Sequence, residues 1–354
     1  MAAKQSLGFI GLGRMGGGLA RHAAAIGHRV VGMDPRGLSA ELKAAGVEEA
    51  RDNATLVAAL PTPRIVWLYV PAGSVVDDVL ADLAPRLAQG DLVIDGGNSY
   101  WGDSIRRHRR LAQAGVHFVD AGTSGGPSGA LDGACFMVGG EPEVVAGLTP
   151  LLTSLAVDGG FVNAGGPGAG HFVKLVHNGI EFGMLQAIGE GMSLLEGFGR
   201  PLPVADILET WTHGSVIRSW LVELMRDAYR DRQGLGQTPA YVEDTGEVNW
   251  LVDDALHLEV PIPVITQSVV QLVQSRDGSH AAARAIAMMR HGFGGHPNTA
   301  KQLVASGLWL SFGQGAAKDG DLGARRHASG QSRGGVDHSI GVDCRLASRA
   351  SEET

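Results

Sequence analysis

Leu7-Gly-Phe-Ile10-Gly11-Leu12-Gly13-Arg14-Met15-Gly16 joins a short apolar run directly to a glycine-spaced turn, and its reading decides the fold. A helical run from Leu19 to Ile26 follows, Gly27-His28 ends it, and a second apolar run, His28 to Met33, closes on Asp34. Strand, turn, helix and second strand ending on an acid is the setting in which a GxGxxG spacing has physical meaning. Gly11 permits the tight turn, Gly13 lets backbone N–H groups approach a pyrophosphate, and Gly16 lets the helix pack against the strand. The whole loop, Gly11, Leu12, Gly13, Arg14, Met15 and Gly16, is therefore expected to hold a dinucleotide. Asp34 is placed to accept hydrogen bonds from the adenosine ribose and to repel a 2′-phosphate, which favours NAD. Arg36 works against that exclusion, because a guanidinium there stacks on adenine or grips a 2′-phosphate. NAD is the expected cofactor and NADP the alternative.

The same alternation continues outward. Strands are expected over Arg64 to Val70, Leu92 to Asp95, Val116 to Asp120 and Cys135 to Val138. Helices are expected over Val75 to Leu87, Tyr100 to Gln113 and Glu141 to Leu155. Such repetition predicts an α/β Rossmann-type, doubly wound parallel sheet whose ligands sit at the carboxyl ends of the strands. Two of those ends carry the loops Asp95-Gly-Gly-Asn98-Ser99 and Asp120-Ala-Gly-Thr-Ser124-Gly125-Gly126, which combine glycine with short polar side chains, as a polyhydroxylated ligand requires.

After Gly165-Gly-Pro-Gly-Ala-Gly170 the period changes to that of long helices: His171 to Leu195, Val204 to Trp211, Val216 to Tyr229, Trp250 to Leu258 and Val264 to Met289. The expected organisation is a dinucleotide-binding Rossmann domain over residues 1–163, an all-helical domain over 164–300 and a largely disordered tail over 301–354. In the first of these helices the polar residues His171, Lys174, His177, Asn178 and Glu181 share one stripe, while Phe172, Val173, Leu175, Val176 and Ile180 occupy the other faces. Most of the helix is thus expected to be buried, with the stripe lining a site. The competing explanation is an internal ion pair joining two domains, since a buried Lys or Glu is costly unless paired or used.

The 354 residues carry 29 Lys and Arg against 37 Asp and Glu, a net charge of −8 that offers no basic field to nucleic acid. No apolar run approaches the roughly 20 residues that span a bilayer, so no membrane partner is expected. Cys135 and Cys344 form neither a disulfide framework nor a metal-ligand pair, and a cytoplasmic setting fits them.

Taken together, Gly11-Leu-Gly-Arg-Met-Gly16, Asp95-Gly-Gly-Asn-Ser99, Ser124-Gly-Gly126, Gly170-His-Phe-Val-Lys-Leu-Val-His-Asn-Gly-Ile-Glu181 and Arg290-His-Gly-Phe-Gly-Gly-His296 resemble the decarboxylating 6-phosphogluconate dehydrogenases in their shorter form, over residues 6–298. The first motif, and the Lys followed by Asn, are shared with the wider β-hydroxyacid dehydrogenases. The resemblance implies NAD(P)-dependent oxidative decarboxylation of 6-phospho-D-gluconate to D-ribulose 5-phosphate and CO2, a pentose phosphate pathway step that requires no metal. It implies Lys174 as the base that takes the 3-hydroxyl proton and Glu181 as the acid that protonates C1 of the enediol. It also implies sugar-acid contacts from Asn98, Ser124, Gly125, Gly126, His177 and Asn178. Arg290 and His296 would reach a neighbouring subunit's site, so that the protein is a homodimer or homotetramer.

Three positions depart from the family pattern, all where the substrate phosphate is gripped: Phe182 replaces a Tyr, Asn249 a basic residue and Leu272 an Arg. Each replacement removes a donor to a dianion. A second reading is therefore a sibling β-hydroxyacid dehydrogenase acting on another, non-phosphorylated sugar acid or hydroxy acid. A third, a catalytically silent dinucleotide sensor, would not need both Lys174 and Glu181.

Overall fold

Leu7 and Phe9 pack into one apolar core and Ile10 into another, on opposite faces of a single strand. Leu92 and Ile94 divide from Val93 in the same way. A strand buried on both faces reads as a continuous apolar run, and only a sheet covered by helices on both sides accommodates several of them. The computed structural model describes residues 3–243 and 245–294.

The strands are β1 (Ser6–Ile10), β2 (Arg29–Met33), β3 (Glu48–Glu49), β4 (Ile65–Leu68), β5 (Leu92–Asp95), β6 (His117–Ser124), β7 (Ala134–Gly139) and β8 (Ala156–Gly165). Between them lie α1 (Arg14–Ala25), α2 (Ala40–Ala44), α3 (Asn53–Ala59), α4 (Ser74–Leu83), α5 (Trp101–Ala112), α6 (Gly126–Asp132) and α7 (Pro142–Leu155). Then come the helices α8 (Ala169–Glu196), α9 (Val204–Thr212), α10 (Trp220–Arg232), α11 (Glu247–His257) and α12 (Pro263–Gln274). A second unit starts at Ala281, and its described part is the helix α13 (Ala281–Gly294).

The sheet order is β3-β2-β1-β4-β5-β6-β7-β8, so the chain reverses direction across the sheet between β1 and β4. In a doubly wound sheet that reversal opens the ligand crevice at the strands' carboxyl ends. The expected Rossmann-type sheet followed by helices is present, and all neighbouring strands are parallel except β6 and β7.

Several elements differ from the sequence reading, each for a local reason. Helix α1 begins at Arg14, five residues before Leu19, and so contains Gly16, Gly17 and Gly18. Glycine costs about 1 kcal/mol in a helix interior relative to alanine. Close packing offsets that cost: a Cβ on Gly18 would lie 2.9 Å from the Ala130 Cβ of α6, and one on Gly16 would run into the Gly11 carbonyl. Strand β6 does not stop at Asp120 but continues to Ser124, because antiparallel pairing with β7 matches Asp120 to Gly139 and Ser124 to Cys135. The apolar run from Val264 to Met289 is broken after Gln274, where the Asp277 carboxylate accepts from the backbone N–H groups of Ser279 (2.9 Å) and His280 (3.3 Å). Such local capping competes with helix continuation.

Candidate active site

Three glycines bring α8 down onto the sheet. A Cβ on Gly170 would lie 2.5 Å from both the Asp120 and the Met137 carbonyl oxygens, one on Gly139 would lie 2.6 Å from the Gly170 nitrogen, and one on Gly122 would run into the Lys174 side chain. The buried Asp120 carboxylate accepts from the N–H groups of Gly168 (2.7 Å) and His171 (2.8 Å), which satisfies the opening of α8. Burial pushes the Asp120 carboxyl above its ordinary pKa, against the pull of His171 and of these hydrogen bonds.

The stripe on α8 then divides. His171 faces the fold, not a ligand: it is buried, with Nδ1 2.7 Å from the Ser104 hydroxyl of α5. Lys174, His177, Asn178 and Glu181 instead line a cleft of about 2210 Å³. That exceeds the ~300–1,000 Å³ usual for one small molecule and gives room for a dinucleotide beside a second ligand. The expectation for the other faces of α8 fails in part, since Val173, Ile180, Met184 and Leu185 are exposed while Lys174 and Asn178 are buried. Burial pushes the Lys174 amine below its ordinary pKa, opposed by the charges of Glu181, Glu247 and Cys135.

His177 ties the stripe to β6. Its Nε2 lies 3.0 Å from the Ser124 hydroxyl, while its Nδ1 lies 3.4 Å from Lys174 Nζ and 3.1 Å from Asn178 Oδ1. Gly125 and Gly126, both with positive φ, carry the chain from Ser124 into α6 and line the same cleft. Asn98 arrives from the loop after β5, which is supported from below: the Ser99 hydroxyl donates to Asp95 (2.7 Å), and the fully buried Arg107 lies 3.6 Å from that carboxylate.

The other end of the cleft carries the glycine loop. Gly11 has φ +86°, and a Cβ there would meet the Tyr69 carbonyl. Gly13 caps α1 with no side chain bonded to the first N–H groups, which leaves those donors and the positive end of the helix dipole for an anion. Gly11, Gly13, Arg14, Met15 and Gly16 line the cleft; the Leu12 side chain is buried, and its N–H donates to Asp34 Oδ2 (2.9 Å). Arg36 lies on the same carboxylate through its backbone N–H (3.0 Å), Nε (3.0 Å) and Nη2 (3.2 Å). The Arg36 guanidinium, helped by the Arg36 and Leu12 N–H groups, holds the Asp34 carboxyl at about 2. These donors and this carboxylate suit the pyrophosphate and ribose of a dinucleotide, which when bound supplies the hydride acceptor.

Two further predicted residues belong to other parts of the chain: Arg290 is exposed on α13 of the second unit, and His296 lies outside the described residues, as do residues 301–354. One residue of the cleft went unread in the sequence: Glu247, at the start of α11, accepts from Asn98 Nδ2 and Asn178 Nδ2, each at 3.4 Å. No motif could reveal it, because its partners are 149 and 69 residues away. Among the described residues no helix is long and apolar enough to cross a membrane.

Family models match at both halves: the NAD binding domain of 6-phosphogluconate dehydrogenase over residues 6–164, and the C-terminal domain of 6-phosphogluconate dehydrogenase over residues 170–305. A Bacillus subtilis protein provisionally named a 6-phosphogluconate dehydrogenase is 42% identical over 296 residues, which covers 83% of this chain and 99% of that protein. The NAD(+)-dependent, decarboxylating 6-phosphogluconate dehydrogenase of Haloferax volcanii is 42% identical, over 82% of this chain and 97% of its own length. The 6-phosphogluconate dehydrogenase structure of Plasmodium falciparum shares the fold, with a TM-score of 0.69 at 23% identity over 86% of this chain and 69% of that one. With both halves matched and relatives alike over nearly their whole length, the chain belongs to the 6-phosphogluconate dehydrogenase family and is an NAD(P)-dependent oxidoreductase.

Proposed function

We propose that this enzyme oxidises 6-phospho-D-gluconate at C3 and decarboxylates the product to D-ribulose 5-phosphate and CO2, with NAD as its preferred acceptor, in the cytoplasm. The observation that carries the reading is Lys174, buried at the junction of α8 and β6 with its amine biased toward the neutral form a base requires. Lys174 Nζ takes the 3-hydroxyl proton as hydride leaves C3. The β-keto acid then releases CO2, its electrons passing to the C3 oxygen while the Lys174 ammonium returns a proton there. Glu181, seven residues along the same helix and within the same cleft, protonates C1 of the enediol. Asn98, Ser124, the Gly125-Gly126 backbone, His177 and Asn178 hold the carboxylate and hydroxyl groups. Glu181→Gln is expected to leave NAD binding unchanged and to lower product formation about 10²-fold or more, read as ribulose 5-phosphate released; an unchanged rate would make Glu181 structural.

Asp34, held as an anion, supports the NAD preference. Asp34→Ser should raise the ratio of kcat/KM with NADP to that with NAD about tenfold or more, because a like-charge repulsion goes and Arg36 is released to the 2′-phosphate. Steady-state rates with both cofactors check this, and an unchanged ratio would remove Asp34 from cofactor choice.

A second reading, a non-phosphorylated sugar acid, is favoured by one feature of the cleft. Among its described lining residues the Lys and Arg side chains are Arg14 in the glycine loop, Arg36 beyond β2, and Lys174, whose role as base needs it neutral, while Phe182 and Leu272 line it without a donor. In the first reading a homodimer or homotetramer supplies the missing charge, with Arg290 and His296 reaching across from a second copy. NADH and CO2 release from 6-phosphogluconate, gluconate and 3-hydroxyisobutyrate separates the readings. Turnover of gluconate with none of 6-phosphogluconate would overturn the first.

A further inference from the structure

We infer that Glu247 is a positioning residue for the reaction, holding the Asn98 and Asn178 amides from α11 and setting the hydrogen-bond chain that runs through His177 to Ser124 beside Lys174. The inference rests on the function proposed above. It starts from what a carboxylate is able to do. An ionised carboxylate only accepts, so the NH2 group of each asparagine must face it. Oε1 of Glu247 receives both, at 3.4 Å each. With its NH2 committed, Asn178 turns its amide oxygen to His177 Nδ1, 3.1 Å away. That nitrogen must then carry the ring proton, and in the neutral imidazole Nε2 becomes the acceptor. The Ser124 hydroxyl, 3.0 Å from Nε2, is accordingly the donor. Lys174 Nζ lies 3.4 Å from the same protonated Nδ1, whose one hydrogen is given to Asn178 and which presents no lone pair to an ammonium. Two amides, one tautomer and one hydroxyl direction thus follow from a single carboxylate.

Glu247 is itself well held. It is buried and opens α11 directly after Gly246, at the helix end where the dipole favours an anion. Asp254, two turns on, accepts from Tyr100 OH (3.0 Å) and Trp101 Nε1 (2.7 Å), which fixes α11 to the segment that carries Asn98. A Cβ on Gly179 would run into Leu251, so α11 also lies directly on α8. The carboxylate therefore sits where three parts of the chain meet.

Its charge has a second effect. Among the described residues, the titratable groups acting on Lys174 are His177 and Glu181 on its own helix, Cys135 on β7 and Glu247 on α11. Glu247 stabilises the Lys174 ammonium, so removal of its charge alone eases deprotonation. Glu247→Gln keeps an acceptor for the amides and loses the charge, while Glu247→Ala loses both.

The test compares both variants with the wild-type enzyme. Glu247→Ala should lower kcat/KM about 10- to 100-fold with NADH binding unchanged, as misplaced reacting groups do. Glu247→Gln should stay within about threefold at its optimum and move the acidic limb of kcat/KM down by about half a pH unit or more. A merely structural residue would not move that limb. Glu247→Ala folded and fully active, or a Glu247→Gln limb that does not move, would overturn the inference; if the alanine variant fails to fold, the limb decides alone. Reductive methylation of Lys174 in the resting enzyme, followed across pH by mass spectrometry, separates this result from failure of the functional reading. Its midpoint should fall in Glu247→Gln whatever the substrate proves to be, and an unmoved midpoint would refute the inference.

Discussion

Lys174→Met is expected to lower the rate of NADH formation by about 10²- to 10⁴-fold, the range a positioned general base contributes. Methionine fills the same unbranched volume but has no lone pair on nitrogen for the 3-hydroxyl proton. Dinucleotide affinity should not change, because the glycine loop and Asp34 lie on β1, α1 and β2 and not on α8. Stopped-flow absorbance for NADH and fluorescence titration for its binding check the two halves. A variant that keeps a tenth or more of wild-type turnover would remove Lys174 from the role of base. The same substitution should raise Tm at pH 7. The Lys174 pKa is lowered below 10.5 in the folded chain, chiefly by burial, so the unfolded chain binds the proton more tightly and lysine depresses stability at neutral pH. That penalty is full below the folded pKa and fades as pH rises toward 10.5, and methionine never carries it.

Gly170→Ala should destabilise the protein by about 3 kcal/mol and remove most activity. Overpacking usually costs about 1–3 kcal/mol, and the upper end applies when backbone must move. Here the added Cβ would lie 2.5 Å from two carbonyl oxygens and 2.7 Å from the Gly139 nitrogen, none of them able to swing aside. Helix α8 would have to lift from β6 and β7, and Lys174 sits one turn further along it. Gly191→Ala, on the same helix with nothing within 4 Å, is the control and should be neutral or slightly stabilising. Urea melts and kcat/KM together decide: wild-type values for Gly170→Ala would mean that this close approach does not set the position of α8.

The parts of the fold legible in the sequence are those carried by local chemistry. Gly11, Gly13, Gly16 and Asp34 announce the dinucleotide crevice because turn, helix start and strand end lie within one short segment. The stripe of Lys174, His177, Asn178 and Glu181 is legible because one helix face carries it. What escaped depends on partners distant in sequence. Strand β8, with two glycines before its closing Gly165, has little apolar signal, and pairing with β7 defines it. His171 reads as part of the stripe, yet Ser104 on α5 turns it to a structural use. The exposed Val173 and Ile180 show the same limit, since periodicity separates a helix's faces without saying which is covered.

The central claim is that one cleft both oxidises C3 and removes the carboxylate, with a base and an acid on the same helix. Turnover of 6-phosphogluconate with NAD in deuterium oxide, with NADH, CO2 and deuterium at C1 of the product counted together, tests it most directly. The account predicts one NADH, one CO2 and one solvent-derived deuterium in each ribulose 5-phosphate. NADH formed without CO2 would contradict it and leave a simple hydroxyacid dehydrogenase.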